Sequence, residues 1–339
     1  MTREIVITGG LGFIGSHVAD AYLAAGDRVT VIDSEVAAVV DGSEYETHPR
    51  CKVIREPVEE VFKDDSCLKD ADRVVHAASH VGPAGILQYS GRLGPEMVRA
   101  AECVIERCIQ ADVPLCVFSS AEVYGRSGLL AEDDDIRVPT PYNTRIEYAI
   151  AKTLIECMMV NSLHRGLRAI AIRPFNVVGP RQSRAGGFVM PTFVQQALAG
   201  EPITVFASGE QVRAFTSATD LSRFLTHFWD DALASQAPVF NIGNPANRTT
   251  VGNLAQRIKG LLHSDSEIVH VDGKEVYGPM YMEAESFEKV PALGGASELG
   301  WEPEIGLDEL ILETADHYRT REDYRQTREE RQRGIHAAY

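Results

Sequence analysis

The chain has 339 residues, with 33 lysines and arginines against 49 aspartates and glutamates and a formal net charge of −16. Such an acidic protein is poorly suited to bind nucleic acid or an anionic membrane surface, because both attract basic proteins. The sequence shows neither a charged and apolar leader nor a run near the roughly 18 apolar residues of a membrane span, so we expect a cytoplasmic protein with no nucleic acid or membrane partner.

Residues 5–16, IVITGGLGFIGS, follow the pattern of a strand, a glycine turn and a helix. Gly10, Gly12 and Gly15 match G-x-G-x-x-G, in which the glycines permit a tight turn, close approach to a pyrophosphate and close helix packing. A second strand-like run ends just before Asp33, at roughly the 20-residue spacing expected for a carboxylate that binds the adenosine ribose. An acid at this place repels a 2′-phosphate, so the pattern favours NAD over NADP.

Strand-like and helical runs alternate through the first part of the chain, which predicts a Rossmann-type, doubly wound parallel sheet in an α/β protein. Further strands are predicted at 52–55, 72–78, 114–119 and 167–173, and helices at 95–110 and 146–164. Beyond about residue 187 the spacing changes to helices at 189–199, 220–231 and 251–262 with short strands at 203–206, 239–242 and 267–271. We therefore expect an NAD-binding domain over 1–186, a smaller C-terminal substrate lobe over 187–318, and a charged helix or tail over 319–339.

Two types of potential metal ligand carry little signal. His76 and His80 lie four apart at a strand end rather than on a helix, and no acid or cysteine completes a ligand set. The six cysteines are scattered without C-x-x-C spacing, which is typical of reduced thiols. We predict no metal site.

Three residues form the catalytic pattern. Tyr148 and Lys152 are four apart in a predicted helix, so they share one face and the ammonium can approach the phenol. A positive neighbour, together with a nicotinamide cation, is expected to lower the pKa of the tyrosine, which then removes a hydroxyl proton. Ser120, at the end of a predicted central strand, is placed to hydrogen-bond the same substrate oxygen.

Nearly the whole chain resembles the extended short-chain dehydrogenase/reductases of the nucleotide-sugar epimerase, dehydratase and decarboxylase group. The resemblance is carried by TGGLGFIGSHV, HAAS, SSAEVYG, YAIAK, RPFNVVGPRQ, PITVFASGEQVRAF, VFNIGNP and LGW. It implies a Ser120, Tyr148 and Lys152 triad and a sugar nucleotide, with a UDP-sugar favoured, contacted by Asn176 and Arg213. It also implies NAD as cofactor, bound by Gly9, Gly12, Phe13, Ile14, Gly15, Asp33, Ala77, Ala78 and Lys152.

Residues near the sugar leave the reaction open. Glu122 before Val-Tyr-Gly, and Arg145 three residues before the tyrosine, are similar to residues of UDP-glucuronate decarboxylases and of relatives that abstract a proton. Ala121 is more easily accommodated in 4-epimerases, whereas related dehydratases carry Asp there and decarboxylases usually Ser. The chain also departs from its relatives at Ala207 and Ser208 and near residues 289–292, where an Arg and an Asp are expected.

The leading sequence-based prediction is an NAD-dependent nucleotide-diphosphate-sugar epimerase that acts through a transient 4-keto sugar on a UDP-hexose or UDP-uronate. Decarboxylation of a UDP-uronate, or dehydration with Glu122 as the base, is the alternative among enzymes. A catalytically silent NAD-binding sensor or scaffold is the alternative outside enzymes, although the intact triad argues against it. The apolar faces of the helices at 95–110 and 146–164 also predict a homodimer with a four-helix interface.

Overall fold

The computed structural model describes residues 2–235, 237–278 and 288–320. Of the helices in these ranges, none is both long and apolar enough to cross a membrane. The helices are α1 Phe13–Ala24, α2 Gly42–Glu46, α3 Val58–Val61, α4 Leu93–Ala111, α5 Thr144–Leu163, α6 Val189–Ala199, α7 Ala218–His227, α8 Trp229–Ala234, α9 Val251–Leu261, α10 Gly273–Tyr277, α11 Gly294–Glu298 and α12 Leu307–Thr320. Short 3₁₀ turns cover Ser66–Leu68, Leu87–Tyr89, Ala121–Tyr124, Arg184–Gly186 and Pro245–Asn247.

The strands are β1 Glu4–Thr8, β2 Arg28–Ile32, β3 Cys51–Ile54, β4 Arg73–His76, β5 Leu115–Phe118, β6 Gly128–Leu130, β7 Ala169–Pro174, β8 Val177–Val178, β9 Ile203–Phe206, β10 Val212–Ala214, β11 Thr216–Ser217, β12 Val239–Ile242, β13 Arg248–Thr250, β14 Ile268–Val271 and β15 Glu288–Pro291. Seven of them form one sheet in the order β12-β7-β5-β4-β1-β2-β3, and all its neighbouring strands pair in parallel. The predicted doubly wound parallel sheet is confirmed.

The strand order reverses between β1 and β4, which lie side by side while the chain builds outward from them in both directions. In open α/β sheets a crevice forms at such a reversal, beyond the carboxyl ends of the strands, and this is where ligands bind. The glycine turn after β1 and residues 77–78 after β4 therefore border the crevice directly.

Apolar side chains cover both faces of the large sheet. On one face α1 and α7 pack together over a core that includes Tyr22, Phe224 and Trp301. On the other face α4 and α5 pack together over a core that includes Val104 and Met159. A third core joins α6, α9 and α12. The burial of these helices holds the strand ends at the crevice in fixed positions.

A smaller four-stranded sheet has the order β13-β10-β15-β6. Its register places Arg213 of β10 opposite Lys289 of β15, and Lys289 opposite Gly128 of β6. Two further pairs, β8 with β11 and β9 with β14, complete the strands of the described ranges. The small sheet therefore brings together residues that are far apart in the sequence.

Strand β12 and the helix predicted over 220–231 differ from their predictions, and several elements, α12 among them, were not predicted. Strand β12, expected in the smaller lobe, is an edge strand of the large sheet beside β7, because its buried apolar run suits either sheet and only tertiary packing selects one. The helix predicted over 220–231 is divided at Phe228 into α7 and α8. Helix α12, which was not predicted, packs into the third core.

The boundaries proposed for the domains stay predictions. Strand β6 precedes residue 187 but belongs to the small sheet, and β12 follows it but belongs to the large one. The first two residues of the proposed charged tail, 319 and 320, form the end of α12. Residues 321–339 lie outside the described ranges.

Candidate active site

The glycine turn is shaped by close backbone contacts. Gly9 has φ +71°, and a Cβ on it would lie 2.7 Å from the Cα of Ala78. A Cβ on Gly15 would lie 2.1 Å from the Gly9 carbonyl oxygen, because the first turn of α1 packs against the turn that precedes it. Any side chain at these two positions would push the turn apart, so the sequence has glycine where the backbone must approach itself.

The turn and helix α1 fit the pyrophosphate of NAD. Gly12 precedes α1 and contributes no side-chain cap, which leaves amide N–H groups of the first turn directed at the crevice. Phe13 and Ile14 are the first residues of this helix. Ala77 and Ala78 follow β4, and the N–H of Ala77 donates to the Thr8 carbonyl at 3.1 Å. The predicted cofactor residues of the glycine turn, of the start of α1 and of the end of β4 therefore lie next to one another.

Asp33 follows β2 and is buried. One carboxylate oxygen accepts the N–H of Leu11 at 2.9 Å and the other accepts the N–H of Glu35 at 2.8 Å. Burial raises the pKa of Asp33, and these backbone donors oppose the rise only in part. The carboxylate thus braces the glycine turn, and it lies where the ribose of a bound NAD is expected.

The predicted triad meets beyond the end of β5. Ser120 caps the 3₁₀ turn Ala121–Tyr124, and its hydroxyl accepts the N–H of Glu122 at 3.1 Å. Burial raises the pKa of Tyr148 well above its ordinary value, and a hydrogen bond with the Ser120 side chain opposes this rise. Lys152 is buried and donates to the Phe118 carbonyl at 2.7 Å, with its ammonium 5.7 Å from the centre of the Tyr148 ring.

The prediction that Lys152 and a nicotinamide cation together lower the pKa of Tyr148 stays a prediction. Burial lowers the pKa of Lys152 itself to about 8, and its ammonium is directed at a backbone carbonyl rather than at the phenol. Burial is the largest effect on the pKa of Tyr148. The nicotinamide ring of oxidised NAD, when bound, would add a positive charge to the crevice, which favours the ionised phenol.

Glu122 lies between two cations. Its Oε1 accepts from Arg145 Nη2 at 3.1 Å and from Lys289 Nζ at 2.7 Å. Burial alone would raise the pKa of Glu122, but Lys289, Arg145 and Arg213 outweigh it and hold the pKa well below its usual range. Burial lowers the pKa of Lys289 to about 8 against the opposing effect of Glu122. Glu122 is therefore held as an anion between Arg145 and Lys289.

Lys289 was missed as a site residue by sequence reasoning, which noted only that the expected Arg and Asp were absent nearby. It is 5% exposed and lies on β15 in register with Arg213. The signal in the sequence was a lysine directly before the apolar pair of the strand Glu288–Pro291, because a charge in a buried strand requires a partner.

Asn176 and Arg213, predicted to bind the sugar nucleotide, are neighbours. Asn176 has φ +38° between β7 and β8, and its side-chain amide donates to the Ala214 carbonyl at 3.0 Å. Arg213 lies one residue earlier on β10 and close enough to Glu122 to lower its pKa. Arg213 thus lies near Glu122, and the contact of both residues with a sugar nucleotide stays a prediction.

A buried polar network lies behind this cleft. Arg173 donates two hydrogen bonds to Glu156, at 2.9 and 2.7 Å, and one to the Tyr124 hydroxyl at 2.9 Å. The Tyr124 hydroxyl donates to Asn241 at 2.7 Å, and the Asn241 amide donates to the Ala292 carbonyl at 2.9 Å. The network connects the helix of Lys152, the turn of Glu122 and the end of the strand that carries Lys289.

His76, for which the sequence predicted no metal, is buried and hydrogen-bonded to the Thr8 hydroxyl at 2.8 Å. Burial lowers its pKa to about 3, so the ring stays neutral. Within the described ranges, no group of three or more His, Cys, Asp or Glu side chains is arranged to bind a metal. The absence of a metal site from the whole chain stays a prediction.

Taken together, the parallel sheet, the glycine turn and the serine, tyrosine and lysine beside the crevice define a short-chain dehydrogenase/reductase of the extended type. The chain belongs to the NAD dependent epimerase/dehydratase family, whose sequence profile matches residues 5–243. The predicted family and the predicted cofactor, NAD, are confirmed. Membership makes the chain an enzyme of this family, which disfavours the sensor or scaffold alternative.

Comparisons with individual proteins show which members it resembles. It is 29% identical over 296 residues to a UDP-N-acetyl-alpha-D-glucosaminuronate decarboxylase of Bacillus cytotoxicus, with 86% of this chain and 88% of that protein covered. It is 29% identical over 320 residues to UDP-glucuronic acid decarboxylase 1 of Xenopus tropicalis, with 94% of this chain and 72% of that protein covered. A solved UDP-glucose 4-epimerase of Thermotoga maritima, in a complex with UDP-glucose, matches with a TM-score of 0.78 and 26% identity over 93% of this chain and 98% of that one.

Proposed function

We propose that this enzyme oxidises C4 of a UDP-linked uronic acid and removes its C6 carboxylate. The observation that carries the proposal is the position of Glu122 between Arg145 and Lys289, with Arg213 close by. These cations are gathered at one cleft in a chain whose net charge is −16. Guanidinium and ammonium groups placed in this way favour an anionic substrate group.

The chemistry follows from where the groups lie. Oxidation at C4 places a ketone β to the C6 carboxylate. The bond between C5 and C6 then breaks and carbon dioxide leaves. The electron pair of that bond passes to C5 and the C4 oxygen. Tyr148 takes the proton of the C4 hydroxyl, and Ser120 hydrogen-bonds the same oxygen. The Lys289 ammonium, with a pKa of about 8, is suited to return a proton to C5. NAD, when bound, accepts a hydride from C4 and returns it.

The relatives support this choice over the leading sequence-based prediction. Both curated relatives described above are named as decarboxylases of UDP-linked uronic acids. The pKa of Glu122 is held well below its usual range, and a carboxylate held so firmly as an anion is a weak base. Dehydration that uses Glu122 as the base is therefore disfavoured.

The substrate test uses the NAD-loaded protein with UDP-glucuronate and with UDP-glucose, analysed by mass spectrometry. Decarboxylation predicts a product of UDP-glucuronate that has lost carbon dioxide, with no change in the mass of UDP-glucose. Lys289→Met is expected to slow this reaction roughly 100-fold or more, the usual loss of a proton donor. Lys289→Arg keeps the charge but holds its proton too tightly, so it should preserve KM while kcat falls. Native turnover in both variants would remove Lys289 from the mechanism.

Epimerisation at C4 is the second candidate. It is favoured by the small, buried Ala121 beside Ser120, and by the likeness to a solved UDP-glucose 4-epimerase. An unchanged product mass with inverted C4 configuration would establish it. In that case Glu122→Gln should be nearly as fast as the native enzyme, since no proton has to leave or reach carbon.

We also propose a cytoplasmic location, and uridine as the nucleoside of the sugar nucleotide.

A homodimer through α4 and α5 is proposed on the apolar side chains that α5 leaves uncovered. Ile150 and Leu154 are 43% and 46% exposed, one helical turn apart, and Cys157 is exposed just beyond them. We expect sedimentation at micromolar concentration to give a dimer, and Ile150→Lys with Leu154→Lys to give a monomer. The matched control is Leu312→Lys, an exposed leucine on α12. A native protein that sediments as a monomer would exclude this interface.

A further inference from the structure

Arg55 lies beside the carboxylate predicted to bind the adenosine ribose. It follows the last residue of β3, and the parallel register pairs Ile54 with Ile32 at the end of β2. The N–H of Asp33 donates to the Ile54 carbonyl at 3.0 Å. Arg55 and Asp33 thus leave the sheet side by side at its carboxyl edge. An arginine in this region is the group with which a Rossmann-type site accommodates the 2′-phosphate of NADP.

Two carboxylates engage this arginine. Its Nε donates to Glu35 at 2.8 Å, and its Nη1 pairs with Glu46 at the end of α2. The hydrogen bonds that Arg55 donates to Glu46 and Glu35 raise its pKa above the ordinary value. We call Arg55, Glu35 and Glu46 the Arg55 triad. Asp33 lies at the end of the neighbouring strand, so three carboxylates and one guanidinium are gathered at this corner of the sheet.

The guanidinium also reaches toward the glycine turn. A Cβ added at Gly42 would lie 2.8 Å from Arg55 Nη2 and 3.3 Å from the Leu11 side chain. The Leu11 N–H is the one that Asp33 accepts. Arg55, the glycine turn and the carboxylate predicted to bind the ribose are therefore parts of one corner.

We propose that Glu35 and Glu46 exclude NADP by binding Arg55. The chain then contains an arginine suited to bind a 2′-phosphate, but the two carboxylates of the Arg55 triad engage it. Cofactor choice then depends on three acids rather than on Asp33 alone. The native enzyme binds NAD and only weakly NADP. Neutralising Asp33 by itself opens the site poorly, because Glu35 and Glu46 still hold the arginine and because Asp33 also braces the glycine turn for either cofactor.

The test measures NADP and NAD binding by calorimetry on the full chain, freed of bound nucleotide. Asp33→Asn removes one charge and keeps an acceptor for the turn, and Glu35→Gln with Glu46→Gln then release Arg55. The triple variant is expected to bind NADP about tenfold or more tightly than Asp33→Asn alone, the effect of a new charge-assisted contact. Adding Arg55→Met should abolish that gain and leave NAD affinity within about threefold, because NAD presents no 2′-phosphate.

Asp308→Asn is the matched control, since it removes a carboxylate from an exposed ion pair with Arg257 on α9 and α12. It should not change NADP affinity. The proposal is wrong if the triple variant binds NADP no more tightly than Asp33→Asn, or if the gain survives Arg55→Met. Because the readout is cofactor binding, either result leaves the proposed decarboxylation to be decided separately by the product mass.

Discussion

Tyr148→Phe is expected to reduce turnover of the sugar nucleotide by between about 10²- and 10⁴-fold, the range found for loss of a positioned proton-transfer group. The phenol is hydrogen-bonded with Ser120 and has the Lys152 ammonium 5.7 Å from its ring centre. Phenylalanine keeps the ring but cannot take the proton of a C4 hydroxyl. Since that proton leaves first in both candidate reactions, the loss is expected whether the product is decarboxylated or epimerised.

The measurement combines single-turnover kinetics with calorimetric titration of NAD and of the sugar nucleotide. We expect kcat to fall while both dissociation constants stay within about threefold, because the interaction lost is made chiefly in the transition state. Tyr142→Phe is the matched control, since Tyr142 is 75% exposed and precedes the same helix. A loss of less than about fivefold in Tyr148→Phe would show that another group takes the proton.

Arg173→Met is expected to lower the free energy of unfolding by about 3 to 5 kcal/mol, the usual cost of leaving one member of a buried ion pair without its partner. The side chains of Arg173 and Glu156 are 5% and 6% exposed and are joined by two hydrogen bonds. In the variant, the Glu156 carboxylate must either remain charged without compensation or be protonated. Urea unfolding of the purified chain measures the change.

The double variant Arg173→Met with Glu156→Met should recover most of that loss, because no buried charge is left unpaired. Arg165→Met is the matched control on the surface, where Arg165 makes a two-pronged pair with Glu106 at 54% and 39% exposure. It should cost no more than about 1 kcal/mol. Equal losses for Arg173→Met and Arg165→Met would contradict the view that burial gives the inner pair its effect.

The parts of this site that could be predicted from the sequence depend on local spacing. The glycine turn leads into α1, Asp33 directly follows β2, and Tyr148 and Lys152 are separated by one helical turn. In each case the periodicity of one or two adjacent elements determines which way the residues face. Their placement beside one crevice then follows from the parallel order of the strands. Their roles in binding and catalysis stay predictions.

The rest could not be predicted because it depends on pairing between distant segments. Lys289 reaches Glu122 only because β15 pairs with β10 and β6, strands that lie far from it in the sequence. Strand β12 enters the large sheet by the same kind of long-range pairing with β7. The Arg55 triad depends on the approach of α2 to the end of β3. Single-sequence patterns contain no information on which of several suitable strands will be neighbours.

The exchange of strands between the two sheets has a consequence for how this architecture diversifies. Without the segment after residue 187, β7 would lose its neighbour β12 and α1 would lose the helix α7 that packs on it. The cofactor-binding part is therefore not a module that could be recombined with a foreign substrate lobe at a single junction. New substrate preferences on this scaffold must arise by substitution in place, at positions such as 213 and 289, with both sheets preserved around them.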